Sequence, residues 1–135
     1  MKKLSYLTTF AVLSMVPMMS TFAAWQELGY NELMSVSVDV ETLQRTGDKA
    51  QIMSMLNFKK PGENPKTKAP VNSIIGLNEF NCSNATYRPI EFKEFGGKNG
   101  GGKLVSTNPT PNSPYEAVPQ DSWQAGVFSI ACSIK

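Results

Sequence analysis

The chain has 135 residues, two cysteines, no histidine and a formal net charge of +2, with 41% hydrophobic and 10% aromatic residues. The surplus charge sits in Lys2 and Lys3, so residues 24–135 carry eleven cations against eleven anions and offer no electrostatic case for nucleic acid. Without histidine the commonest general base and the commonest imidazole metal ligand are both missing, and no CxxC pair replaces them.

From Ser5 to Phe22 no charged residue occurs, so Lys2 and Lys3 lead into an apolar stretch as the basic start of a signal peptide does. Ser5, Thr8, Thr9, Ser14, Pro17 and Ser20 dilute that stretch below the roughly 20 continuous apolar residues of a membrane-spanning helix. Small residues at Thr21 and Ala23 predict cleavage after Ala23, giving a 1–23 signal peptide and a 24–135 single domain with no permanent membrane anchor. No cysteine precedes Cys82, so a lipoprotein is not expected.

Trp25 to Tyr30 reads as a short strand. Met34, Val36, Val38 and Val40 then alternate with Ser35, Ser37 and Asp39, the period of a strand with one apolar face. Turn chemistry from Arg45 to Lys49 separates it from a second strand through Ile52, Ser54, Leu56 and Phe58, which predicts a β-hairpin. Lys59 to Pro70 holds three prolines and four lysines and reads as a long exposed loop. Strand pattern resumes at Asn72–Cys82 and Thr86–Phe95, where Pro89 demands an edge position or a bulge. Gly96–Gly102 reads as a flexible turn, Lys103–Thr107 as a returning strand, and the proline-rich Asn108–Pro119 as irregular.

The terminal segment fits two periods. As a helix it has Ser122 as N-cap and places Trp123, Val127, Ile130, Ala131 and Ile134 on one face; as a strand, Phe128, Ile130, Cys132 and Ile134 alternate with Ser129, Ala131 and Ser133. Cys82 and Cys132 are the only cysteines of a chain read as exported, so one intramolecular disulfide is expected. Closing a loop of about 50 residues is worth roughly 4 kcal/mol in the chain-entropy description.

The order of these signals resembles the surface-adhesin protein E family of Gram-negative bacteria. Trp25 precedes VDVETL at Val38–Leu43, a turn at Gly47 and a strand ending in LNFKKP; EFNC follows at Glu79–Cys82, then GGKNGGG with Leu104 and Val105, YEAVP, and Ser122 to Cys132 ending in IAC. Met53, Met55 and Tyr115 stand where relatives carry tryptophan. The resemblance implies an α+β fold: a mainly antiparallel β-sheet of about five to six strands with one C-terminal α-helix, bonded through Cys132 to Cys82 on the sheet. It also implies binding of host extracellular-matrix or serum proteins such as vitronectin and laminin, and it admits a homodimer.

Other features point away from catalysis. GKNGGGK at Gly97–Lys103 has the skeleton of a phosphate-binding loop, but Leu104 replaces the Ser or Thr that would hold magnesium and no helix pattern follows. Asp39 with Glu41 share a solvated face if both lie on a strand, and Glu91 with Glu94 form no recognisable acid pair. No catalytic residue, metal site or cofactor is assigned. Lys59, Lys60, Lys66 and Lys68, opposed locally by Glu63, form the one charge excess and are the candidate ligand-binding residues, suited to acidic protein segments or sulfated glycans. The expected function is that of an exported, non-catalytic, adhesin-like binding protein, secreted or at the outer surface; the alternative is a resident periplasmic accessory or inhibitor protein. Intact-mass measurement of exported protein should give a chain beginning at Ala24; a retained leader or an acylated N-terminus would contradict the reading.

Overall fold

Period-two alternation leaves each strand one apolar face, and a sheet of such strands needs a second layer to cover it. The computed structural model describes residues 24–134; the expected leader lies outside the described residues. Strands β1 (Trp25–Tyr30), β2 (Met34–Thr46), β3 (Lys49–Glu63), β4 (Pro70–Asn81), β5 (Thr86–Phe95) and β6 (Leu104–Pro109) pair in chain order as an antiparallel meander. A two-residue strand, β7 (Glu116–Ala117), pairs with Thr86 and Tyr87, the part of β5 that β6 leaves open. One helix, α1 (Trp123–Ser133), lies over one face.

Val36, Val38, Ala50, Ile52, Leu56 and Phe80 from β2–β4 form the core with Val127 and Ala131 of α1. Phe80 is fully buried, with Tyr87 and Phe128 rings each 6.0 Å from its own. Burial of one such side chain is worth about 1.5–3 kcal/mol. The helix starts where Ser122 Oγ accepts the Ala125 N–H at 3.2 Å, as its sequence position predicts. No basic residue of α1 answers the free carbonyls of its last turn. Arg45 of β2 does so, donating to the carbonyls of Ala131, Cys132 and Ile134 at 3.3–3.5 Å. Ile134, expected on the buried face, ends the helix in extended backbone and is 42% exposed.

Three further expectations are corrected. Lys59–Pro70 is not all loop: after a break in register, Gly62 and Glu63 pair with Val71 and Pro70, so β3 and β4 extend into this segment. Pro61 falls inside the break, where its missing N–H leaves no ladder bond unmade. The turn itself is organised by buried Asn64, whose Oδ1 accepts the Lys66 and Thr67 N–H groups at 3.0 Å. Gly96–Gly102 is an ordered turn: Ser73 Oγ donates to Gly97 O and accepts from Gly100 N, and Asn57 and Asn99 exchange two hydrogen bonds. Gly100 has a φ of +71°, a backbone conformation that side-chain-bearing residues rarely adopt, and this explains the glycine; a Cβ there would also press on the Ile75 Cδ1 at 2.6 Å. Asp39 is buried, not solvated; its carboxylate accepts the Glu41 N–H at 3.1 Å at the irregularity in β2.

Pro89 sits beside the register break between β4 and β5, as its chemistry requires. Thr110 and Ser113 bond its carbonyl, so the proline-rich segment begins fastened to β5.

Cys82, just beyond the end of β4, and Cys132, in the last turn of α1, are joined with their Cα atoms 5.6 Å apart. Cys132 lies at the margin of the buried helix face beside Phe128, so the bond needs no rotation of Val127 or Ala131 out of the core. Replacing both cysteines by serine should lower unfolding free energy by about 2–5 kcal/mol in denaturant titration. Non-reducing peptide mapping should return the Cys82–Cys132 peptide alone.

Candidate functional site

In a meander, every second turn falls at the same end of the sheet. The β1–β2, β3–β4 and β5–β6 connections therefore share one end, and with them a set of lysines scattered in sequence. Lys59 and Lys60 lie on the outer part of β3, Lys66 and Lys68 on the turn that follows, and all four are exposed. The β5–β6 connection adds exposed Lys98 and Lys103. Lys98 Nζ donates to Phe58 O at 2.9 Å, which fixes this ammonium against the backbone next to Lys59. Glu32 and Glu63 are the acids of the β1–β2 turn and of this part of β3; Glu63 reaches Lys68 at 3.9 Å with both side chains mostly exposed, a pair of little energetic weight.

Apolar groups stand among these cations. Tyr30 is 76% and Leu33 69% exposed, the two most exposed of the large hydrophobic side chains. Lys59 Nζ is 5.2 Å from the Tyr30 ring centre, and its backbone N–H donates to Leu33 O at 2.9 Å. A depression of about 400 Å³ between Leu33, Met34, Phe58 and Lys60 lies beside them. A surface with fixed positive charge and accessible aromatic and aliphatic groups can hold an acidic partner by charge and retain it by apolar contact. The candidate lysines of the sequence, Lys59, Lys60, Lys66 and Lys68, share this end with Lys98 and Lys103, whose segment carries in sequence only the skeleton of a phosphate-binding loop. The signal was available in the even spacing of turns, which assigns these two segments to one end.

A second polar cluster occupies the sheet face away from α1. Glu79 of β4, 9% exposed, accepts hydrogen bonds from the Tyr115 hydroxyl, from Gln51 Nε2 at 2.8 Å and from Arg88 Nε at 3.1 Å. Lys49 Nζ donates to the Tyr115 hydroxyl at 2.8 Å, and Arg88 donates to Pro111 O at 2.6 Å. Burial works against the Glu79 charge, but the bonds from Tyr115, Gln51 and Arg88 outweigh it and lower the carboxyl to about 2. The cluster holds a carboxylate ionised and fully bonded, a clamp fastening the proline-rich segment to the sheet rather than a proton-transfer site. Glu94 is also held, accepting from Asn64 Nδ2 at 2.7 Å and from Ser106, while Glu91 faces Lys93 at 3.8 Å in a half-exposed pair of little energetic weight. Among the described residues no helix is long and apolar enough to cross a membrane.

A family model described as Surface-adhesin protein E matches residues 25–133. Among solved structures, the crystal structure of protein E from non-typeable Haemophilus influenzae superposes with a TM-score of 0.58 at 16% identity, covering 87% of this chain and 80% of that one. A second structure of Haemophilus influenzae protein E gives a TM-score of 0.58 at 14% identity over 83% and 86% of the two chains. At such identities the likeness establishes the fold. No curated protein matches the chain.

Because the Glu79 carboxyl is lower in the folded protein than its ordinary value of 4.5, its stabilisation is present above that pH and is lost as pH falls toward about 2. The full effect is on the order of 3 kcal/mol. Thermal unfolding followed from neutral to acid pH should show the melting temperature falling through this window. Glu79→Gln should flatten the fall, and Tyr115→Phe should move its onset to higher pH.

Proposed function

The chain belongs to the surface-adhesin protein E family, and from that premise we propose that it is an exported, non-catalytic binding protein that recognises host extracellular-matrix or serum proteins through the lysine-bearing end of its sheet. The observation that carries this reading is the convergence of Lys59, Lys60, Lys66, Lys68, Lys98 and Lys103 with exposed Tyr30 and Leu33 on one end of the sheet, in a stretch, residues 24–135, whose charges sum to zero. Charge of one sign concentrated on a near-neutral body steers an acidic partner to that end and gives binding a salt dependence. Acidic segments of vitronectin or laminin, and sulfated glycans, have the matching chemistry. The two partly buried sheet acids, Glu79 and Glu94, are held in hydrogen bonds, which supports a binding role over a catalytic one.

Biosensor titration of the mature protein against vitronectin, laminin and heparin should give saturable, salt-sensitive binding to at least one of them. Changing Lys59, Lys60, Lys66 and Lys68 together to glutamine should weaken that binding about tenfold or more. Stability should move little, because exposed substitutions usually act within about 0.5 kcal/mol. Affinity indifferent both to the four substitutions and to salt would place the contact elsewhere.

A further inference from the structure

On the helix side of the sheet, beside the first turn of α1, a pocket of about 200 Å³ opens over the middle of β3, β4 and β5. Its floor is Ser54, Gly76 and Asn78, with Ser54 directly opposite Gly76 in the β3–β4 register. Leu56, Ile74 and Phe92 give it apolar walls, and Trp123 closes the side toward the helix. The pocket exists because position 76 has no side chain: a Cβ there would already lie 3.4 Å from Phe92 Cβ and from Glu91 O, and anything larger would fill the space.

The floor is polar where a sheet–helix interface would ordinarily be apolar. Asn78 is 4% and Ser54 3% exposed. Asn78 Nδ2 donates to Ser54 Oγ at 3.3 Å; among the described residues no donor reaches Asn78 Oδ1, and since no buried side-chain acceptor there lacks a partner, this oxygen is accessible where Asn78 lines the pocket. An acceptor that faces the pocket without a protein donor is open to a donor carried by a ligand. Concave, mainly apolar walls with a few convergent polar atoms are the form of a small-molecule site. An apolar cavity of about 150 Å³ takes up benzene. The present volume accommodates a ring system one size larger.

We propose that this pocket binds a planar apolar ring of indole size carrying one hydrogen-bond donor, the ring between Trp123 and the Leu56–Ile74–Phe92 wall and the donor on Asn78 Oδ1. Tyr87 borders the opening, and its hydroxyl is held by Gln124 Nε2 at 3.1 Å, so the rim is fixed to the helix. The site is separate from the lysine-bearing end and does not depend on the adhesin reading.

The test is a titration of the mature protein with indole, followed by amide and side-chain NMR shifts. Saturable shifts are expected at Ser54, Gly76, Asn78 and the Trp123 indole N–H. The same titration with 1-methylindole, which keeps the ring and lacks the donor, should give about tenfold weaker binding. Gly76→Val should abolish binding of both compounds; the comparison of the two ligands on the unaltered protein decides the matter if that variant does not fold. Absence of shifts at these residues up to the solubility limit, equal affinity for the two compounds, or shifts confined to the lysine-bearing end would each overturn the proposal.

Discussion

The attachment of α1 to the sheet is the constraint on which the rest depends. An eleven-residue helix is too short to persist alone in water, and a sheet face lined by Val36, Val38, Ile52, Leu56 and Phe80 cannot stay exposed. Each stabilises the other, and two attachments fix their relation. Val127 and Ala131 bury the middle of the helix, whose start Ser122 caps locally, and the Cys82–Cys132 bond with Arg45 secures the end. The disulfide acts on the unfolded chain by shortening its accessible loops, whereas Arg45 acts in the folded state by answering carbonyls that the helix itself leaves open. The helix covers the β2–β4 side and stops short of β5 near Trp123, and that shortfall creates the Ser54–Asn78 pocket.

The opposite face solves a different problem. It has no helix, so the proline-rich segment after β6 is held against it by polar bonds instead of packing. Arg88 binds Pro111 O, Tyr115 reaches Glu79, and Lys49 bonds the same hydroxyl while its ammonium lies 4.4 Å from the Tyr115 ring centre. This gives a physical meaning to tyrosine at position 115: a phenol can donate to Glu79 while accepting from Lys49, which an indole N–H, able only to donate, could not do. The clamp and the helix share β4 between them, with Phe80 facing one and Glu79 the other.

Family membership supports an adhesin-like function. The local chemistry adds a division of labour along the sheet: one end carries six exposed lysines with Tyr30 and Leu33, while Glu79 and Glu94 are held in hydrogen bonds on the sheet. Charges left exposed at connections can meet a partner without disturbing the core, because the ladders of β3 and β4 continue beneath them to Glu63 and Pro70.

The sequence by itself determined the strands, because alternation at Met34–Val40 and Ile52–Phe58 and the turn residues around Gly47 are local signals with a fixed period. It determined the Pro89 break for the same reason, since a missing N–H must be accommodated wherever the chain goes. It also named the disulfide, there being one possible internal pair. Periodicity left the terminal segment open between helix and strand, because Val127 and Ala131 satisfy one period and Phe128, Ile130 and Cys132 the other. Only the tertiary structure decided that Lys98 is pinned to Phe58 O beside Lys59, that Asp39 is buried, that Gly96–Gly102 is an ordered turn, and that Asn78, Ser54 and Gly76 line a pocket. Those outcomes depend on which strands become neighbours and on which face a fourth element lands, and both are set by contacts between residues tens of positions apart that no local pattern encodes.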